Sequence, residues 1–192
     1  MNDLNKLIWF VCIGLIYVTS ACEKASPPRD YYPDWGTVSI LKNGESKNMR
    51  ISGETYVFND VRYCKVHLYT RIDWTIVNEE FIEFVILKPE PKIGDTLCLS
   101  YNNIFHPQPL HCVGTHYSSM IYGDVIGDLY KVIPQEHSYM VLTDWDPENL
   151  ILSGEFKISY YFAEDEHIHD WMADTIRFTE SKFTTQLKAL DI

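Results

Sequence analysis

The chain has 192 residues, with 27 acidic against 16 basic side chains and a net charge of −11. A surface that acidic argues against nucleic acid or anionic lipid as a partner, because both are held by basic patches. The length suits one domain, or two small ones, with enough chain to bury a core.

The first element is an apolar run, Leu7–Val18 (LIWFVCIGLIYV), preceded by Lys6 and followed by Thr19-Ser20-Ala21-Cys22. Its twelve residues fall short of the roughly 20 that span a bilayer and fit the apolar region of a secretory signal. The small side chains at 19–21 admit a signal peptidase. With the cysteine directly after them, they resemble the lipobox of bacterial lipoproteins, Thr19 standing where a leucine-like residue is commonest. The resemblance implies that the Cys22 thiol carries a thioether-linked diacylglycerol, that cleavage precedes it, and that acyl chains of the palmitate type anchor the product. Each buried CH₂ contributes about 0.8 kcal/mol, so several chains on one residue hold stably. Conventional cleavage after Ala21, leaving a soluble secreted chain, is the competing reading. Residues 1–21 are therefore read as a signal peptide and 22–35 as the lipidated cysteine and a linker, whose Pro27-Pro28 and Pro33 favour extended backbone.

From residue 36 to 192 the signals are of strand type. VRYCKVHLYTRI (61–72) alternates Cys64, Val66 and Leu68 with Lys65, His67 and Tyr69, and EFIEFVIL (80–87) and DTLCLSY (95–101) follow. SSMIYGDVIGDLYKV (118–132) is weaker, interrupted by Gly123 and Gly127 where bulges or bends fit. SYMVLTDW (138–145), LILSGEFKISYYF (150–162) and DTIRFTESKFTTQL (174–187) complete the set, while AEDEHIHDWMA (163–173) reads as a connecting loop with room for a helical turn. ISGE (51–54) and LSGE (152–155) look alike, but so short a match is compatible with chance. Short alternating runs between Gly, Pro, Asn and Asp predict a single antiparallel β-sandwich or barrel-like domain.

Three cysteines lie in this region, Cys64, Cys98 and Cys112. A Cys98–Cys112 bridge would close a loop of fourteen residues, worth roughly 3 kcal/mol in an oxidising compartment. Three reduced, buried thiols are the alternative.

The C-terminal third carries a family resemblance. Leu152-Ser153-Gly154-Glu155-Phe156 opens one strand, and Ile176-Arg177-Phe178 with Glu180-Ser181-Lys182-Phe183 forms its expected partner. This looks like a group of all-β lipoproteins of Bacteroides-type bacteria without a defined activity, in which an S-G-x-F strand precedes an I-x-F-T-x-G-x-F strand. Ser181 stands where the group usually has glycine. The resemblance implies a β-sandwich-like fold and an envelope location, and no activity.

Three constellations are candidates for chemistry. His167-x-His169-Asp170, beside Glu164, Asp165 and Glu166, offers imidazoles on one side of an extended segment and a carboxylate, a divalent-metal pattern. A solvated connection between strands explains the same residues. His106, His111 and His116 flank Cys112, where a nucleophile–base pair is conceivable and the disulfide accounts for the cysteine better. Asp144, Asp146 and Glu148, and the Glu79-Glu80 pair, supply carboxylates, of which the first three suit a hairpin turn. Aromatics make up 14% of the chain, and Trp145, Trp171, Tyr160 and Tyr161 form a candidate ligand platform for stacking on sugars, although Tyr160 and Tyr161 must face opposite ways.

The expected function is that of a non-enzymatic lipoprotein of the bacterial outer membrane, acting by binding or assembly and needing no cofactor. Its partners would be the membrane, through the anchor, and envelope proteins or glycans. A carbohydrate-binding module and a metal-dependent enzyme at His167/His169 are the rival classes.

Overall fold

Alternation of inward and outward side chains builds this domain. The computed structural model describes residues 35–58, 61–70, 79–87, 92–101, 112–121, 125–164 and 166–190. The signal segment, Cys22, the linker as far as residue 34, His106, His111 and Asp165 lie outside the described residues. Those described form β1 (Gly36–Lys42), β2 (Glu45–Lys47), β3 (Arg50–Phe58), β4 (Val61–Tyr69), β5 (Glu79–Leu87), β6 (Thr96–Tyr101), β7 (Cys112–Ile121), β8 (Val125–Val132), β9 (Tyr139–Asp146), β10 (Ile151–Phe162) and β11 (Thr175–Ala189). None of the described residues is helical, 163–173 included, and the fold is all-β.

The strands close on themselves. Pairings run β11–β3–β4–β5–β7–β8–β10 and return from β10 to β11, while β6 and β9 make a second bridge between β7 and β10 beside β8. β1 shares one edge of β11 with β3, and β2 folds back on β1. The sheet is mixed where an antiparallel one was expected. β3 runs parallel to β11 over Gly53–Thr55 and Leu187–Ala189, and β6 parallel to β7 over Cys98–Tyr101 and Cys112–Thr115. Closure leaves few free edges, which protects such a sheet from pairing with other chains.

The ring is filled by alternate residues of each strand. Val66 and Leu68, Ile82 and Phe84, Tyr117, Tyr130, Met140, Leu152, Ile158 and Phe178 are inaccessible to solvent, and the Phe84 and Phe156 rings meet at 4.9 Å. Each such side chain contributes about 1.5–3 kcal/mol when fully buried. Cys98 and Cys112 oppose each other across the parallel β6–β7 pair, and a disulfide joins them with Cα atoms 4.7 Å apart.

Ser181 does not sit in a turn. It is buried within continuous β11, where Glu180 takes a left-handed φ of 51°. Both neighbours register the extra residue: Ser39–Leu41 of β1 and Phe156–Ile158 of β10 each span one residue fewer than β11 does. A bulge thus bends the strand at the point where β1 and β10 grip it.

Gly154, at the middle of the S-G-E motif, is required by close packing. A Cβ there would lie 2.7 Å from the Phe183 ring and 3.1 Å from the Val141 carbonyl oxygen. Gly154→Ala is therefore expected to cost about 1–3 kcal/mol of stability, the usual range for overpacking a filled core. Chemical unfolding of the variant measures it.

Candidate functional site

The polar groups gather at one end of the ring, beneath the connection from β10 to β11. The origin is a bulge in β8. Ser118 pairs with Leu129 and Met120 with Ile126, so Ser119 of β7 faces both Gly127 and Asp128. A Cβ on Gly127 would stand 2.6 Å from Ser119 Oγ and 2.8 Å from His169 Cε1, so only glycine fits beneath the histidine ring. The bulge turns Asp128 inward, where it is inaccessible to solvent.

A buried carboxylate must find donors. The backbone amide of Ile168 donates to Asp128 Oδ1 at 2.6 Å and that of His169 to Oδ2 at 3.3 Å. His169 Nδ1 lies 3.3 Å from Oδ2, and the Ser119 hydroxyl donates to the same oxygen at 3.4 Å. Ser119 Oγ in turn accepts from the Asp128 amide at 2.7 Å and sits 3.1 Å from His169 Nδ1. His167 stacks on Phe162 at 3.7 Å, bonds Asp174 Oδ1 through Nε2 at 3.0 Å, and brings Nδ1 within 3.6 Å of Asp128 Oδ1. The Tyr130 hydroxyl donates to the Ala173 carbonyl at 2.9 Å, a second clamp on the same connection.

Serine, histidine and aspartate are together here, yet they are not arranged for nucleophilic catalysis. A relay needs the hydroxyl on one imidazole nitrogen and the carboxylate on the other. Both meet Nδ1 of His169, and Ser119 is wholly buried. The arrangement latches a loop. The metal expectation also changes shape: His167 and His169 converge on Asp128, forty residues upstream, while Asp170 is exposed. Among the described residues no group of three or more His, Cys, Asp or Glu is placed to hold a metal ion.

A second polar group adjoins the first. Glu80 of β5 is the register partner of Ser119 and is also buried. Its Oε1 accepts from Lys42 Nζ at 2.8 Å and Lys47 Nζ at 3.0 Å, and Lys42 also donates to the Tyr117 hydroxyl at 3.0 Å. Burial, with the Glu80 carboxylate beside it, pushes the Tyr117 phenol well above its ordinary value. Deeper in, Tyr160 bonds Thr115 at 2.6 Å, and burial raises its phenol too.

The four aromatics expected to make one platform do not share a face. Tyr160 points into the ring, whereas Tyr161 is exposed. Trp145 packs half-buried on the core with the Arg62 guanidinium 5.9 Å from its ring, and it pairs with Leu152 at the far end of β10. Leu152 and Tyr161 are separated by roughly 30 Å of strand at about 3.3 Å per residue, so Trp145 and Tyr161 cannot engage one sugar. Asp146 bonds the amides of Glu148 and Asn149 at 2.9 and 3.1 Å, which is turn chemistry. His116, across the sheet from Glu83 and His67, is held below its ordinary pKa by burial, with Glu83 opposing.

Asp128, Ser119, Glu80 and Lys42 were not singled out by sequence for these roles. Gly127 was the one local signal, as a position suited to a bulge. Compared with protein-family models, curated proteins and solved structures, the chain matches none.

Proposed function

We propose that this protein is a lipid-anchored, non-enzymatic component of a bacterial cell envelope that acts by binding or assembly. The observation that carries the reading is Cys22 placed directly after Thr19-Ser20-Ala21 and a twelve-residue apolar run. The Cys98–Cys112 disulfide supports it, because such bonds persist outside the reducing cytoplasm. The Asp128 cluster supports the non-enzymatic part, since it spends its carboxylate on loop backbone and buries its hydroxyl. An all-β scaffold presenting a fixed connection suits binding. The outer membrane is the favoured site, because Glu23-Lys24 after the cysteine give no firm retention signal.

Cys22→Ala expressed in a Gram-negative host tests the anchor. The wild type is expected to incorporate labelled palmitate and to fractionate with membranes. The variant is expected to lose the label and to appear soluble or unprocessed. Unchanged labelling and membrane attachment in the variant would reject the proposal.

A further inference from the structure

The connection between β10 and β11 is built inside out. His169 is 9% exposed and Met172 is buried, whereas Ile168 is 56% and Trp171 42% exposed. A free loop gains more by sinking its isoleucine and leaving its imidazole in water. The inversion is enforced by Asp128: it holds the amides of both Ile168 and His169, which turns His169 toward Ser119 and Ile168 outward. The Trp171 ring lies 5.4 Å from the His169 ring, and Ile126, 53% exposed, precedes the Gly127 packed beneath that ring. Three exposed apolar side chains thus lie beside the buried histidine in the chain or beside the Gly127 packed beneath it. Around them Glu164, Glu166, Asp170 and Asp174 are exposed, and 163–174 contains no Lys or Arg.

We infer that this end of the barrel is a docking surface for a protein partner that presents apolar side chains inside a Lys/Arg rim. An apolar centre within a charged rim is the usual anatomy of such contacts, and tryptophan is a favoured anchor. Because the loop is already latched, little ordering is left to the binding step. Charge decides the occupant. A second copy of this chain, or an anionic bilayer, would set acid against acid, and a cationic protein face would not. The inference deepens the binding-or-assembly reading and does not depend on the anchor.

The test is calorimetric titration of the full chain in detergent micelles with a synthetic amphipathic Lys/Leu peptide and with its Glu/Leu counterpart. The Lys/Leu peptide is expected to bind saturably, more weakly as salt rises, and the Glu/Leu peptide not to bind. Ile168→Ser combined with Trp171→Ser leaves every charge in place, so its expected loss of roughly tenfold or more in affinity, at an unchanged unfolding midpoint, isolates the apolar centre. Equal binding by this variant would show attraction by net charge alone and overturn the inference. So would self-association, or binding to phosphatidylethanolamine/phosphatidylglycerol vesicles, that the same two substitutions abolish. A wild type that binds the peptide but neither takes up palmitate nor fractionates with membranes would leave the surface standing and remove the anchor. An anchored wild type indifferent to the peptide would do the reverse.

Discussion

Asp128→Ala is expected to lower stability by about 3 kcal/mol or more and to release the connection it holds. Four donors would lose their acceptor at once: the amides of Ile168 and His169, Nδ1 of His169, and the Ser119 hydroxyl. Each buried group left without a partner costs about 1–3 kcal/mol, and the side chain removed is itself inaccessible to solvent. Asp128→Asn keeps one acceptor oxygen and should cost less. Asp170→Ala, on an exposed side chain of the same segment, should stay within about 0.5 kcal/mol. Urea unfolding ranks the three variants. Hydrogen exchange supplies the local readout, because the Ile168 amide should lose its protection in Asp128→Ala well below the global unfolding free energy. A cost for Asp128→Ala no larger than for Asp170→Ala would show that the carboxylate does not hold the loop.

The strands that were legible from sequence are those whose inward face is apolar. Cys64, Val66 and Leu68 in β4, Met140 and Leu142 in β9, and the alternation through β10 and β11 expose a period of two because water-avoiding residues occupy every second position. β3 hides its period, since Gly53 and Thr55 follow Ile51 on the inward side. β1 hides its own, because the inward series Val38, Ile40 ends on Lys42, whose charge is answered from β5. The β1–β2 connection does carry a local signal: Asn43-Gly44, with φ of 51° and 84°, is the standard two-residue hairpin turn.

The site was less legible than the fold, for a physical reason. His167 and His169 are marked by their spacing, but their carboxylate comes from β8 rather than from Asp170 beside them. Spacing along one segment reports only partners on that segment. Asp128 is one of two aspartates, with Asp124, in a run broken by glycines, and its importance arises from a bulge that exists only when β7 and β8 are paired. Glu80 reads only as half of the Glu79-Glu80 carboxylate pair until the sheet brings Lys42 and Lys47 to it, 38 and 33 residues away.

Glu80 gives the second large expected effect, with a pH dependence of definite sign. Glu80→Ala would leave Lys42, largely shielded from water, facing no counter-charge. Breaking a buried pair in this way costs about 3–5 kcal/mol, whereas replacing both partners with apolar groups of similar size is often neutral. Glu80→Leu with Lys42→Met should therefore recover most of what Glu80→Ala loses, and the two single substitutions complete a cycle that isolates the coupling. Burial alone would raise the Glu80 carboxyl, but Lys42 and Lys47 outweigh it and hold the group below its ordinary value. As pH falls, the unfolded chain thus takes up the proton first. The contribution is complete above the unfolded glutamate pKa of about 4.3 and is lost as pH drops through the lower folded value. Wild-type stability should accordingly fall more steeply below about pH 4 than that of the Glu80→Leu/Lys42→Met protein, which no longer carries the titrating group. Urea midpoints measured across that range decide it: parallel profiles would mean that the paired ammonium groups do not stabilise the charged carboxylate, and diverging ones that the ion pair holds β1 and β2 to β5.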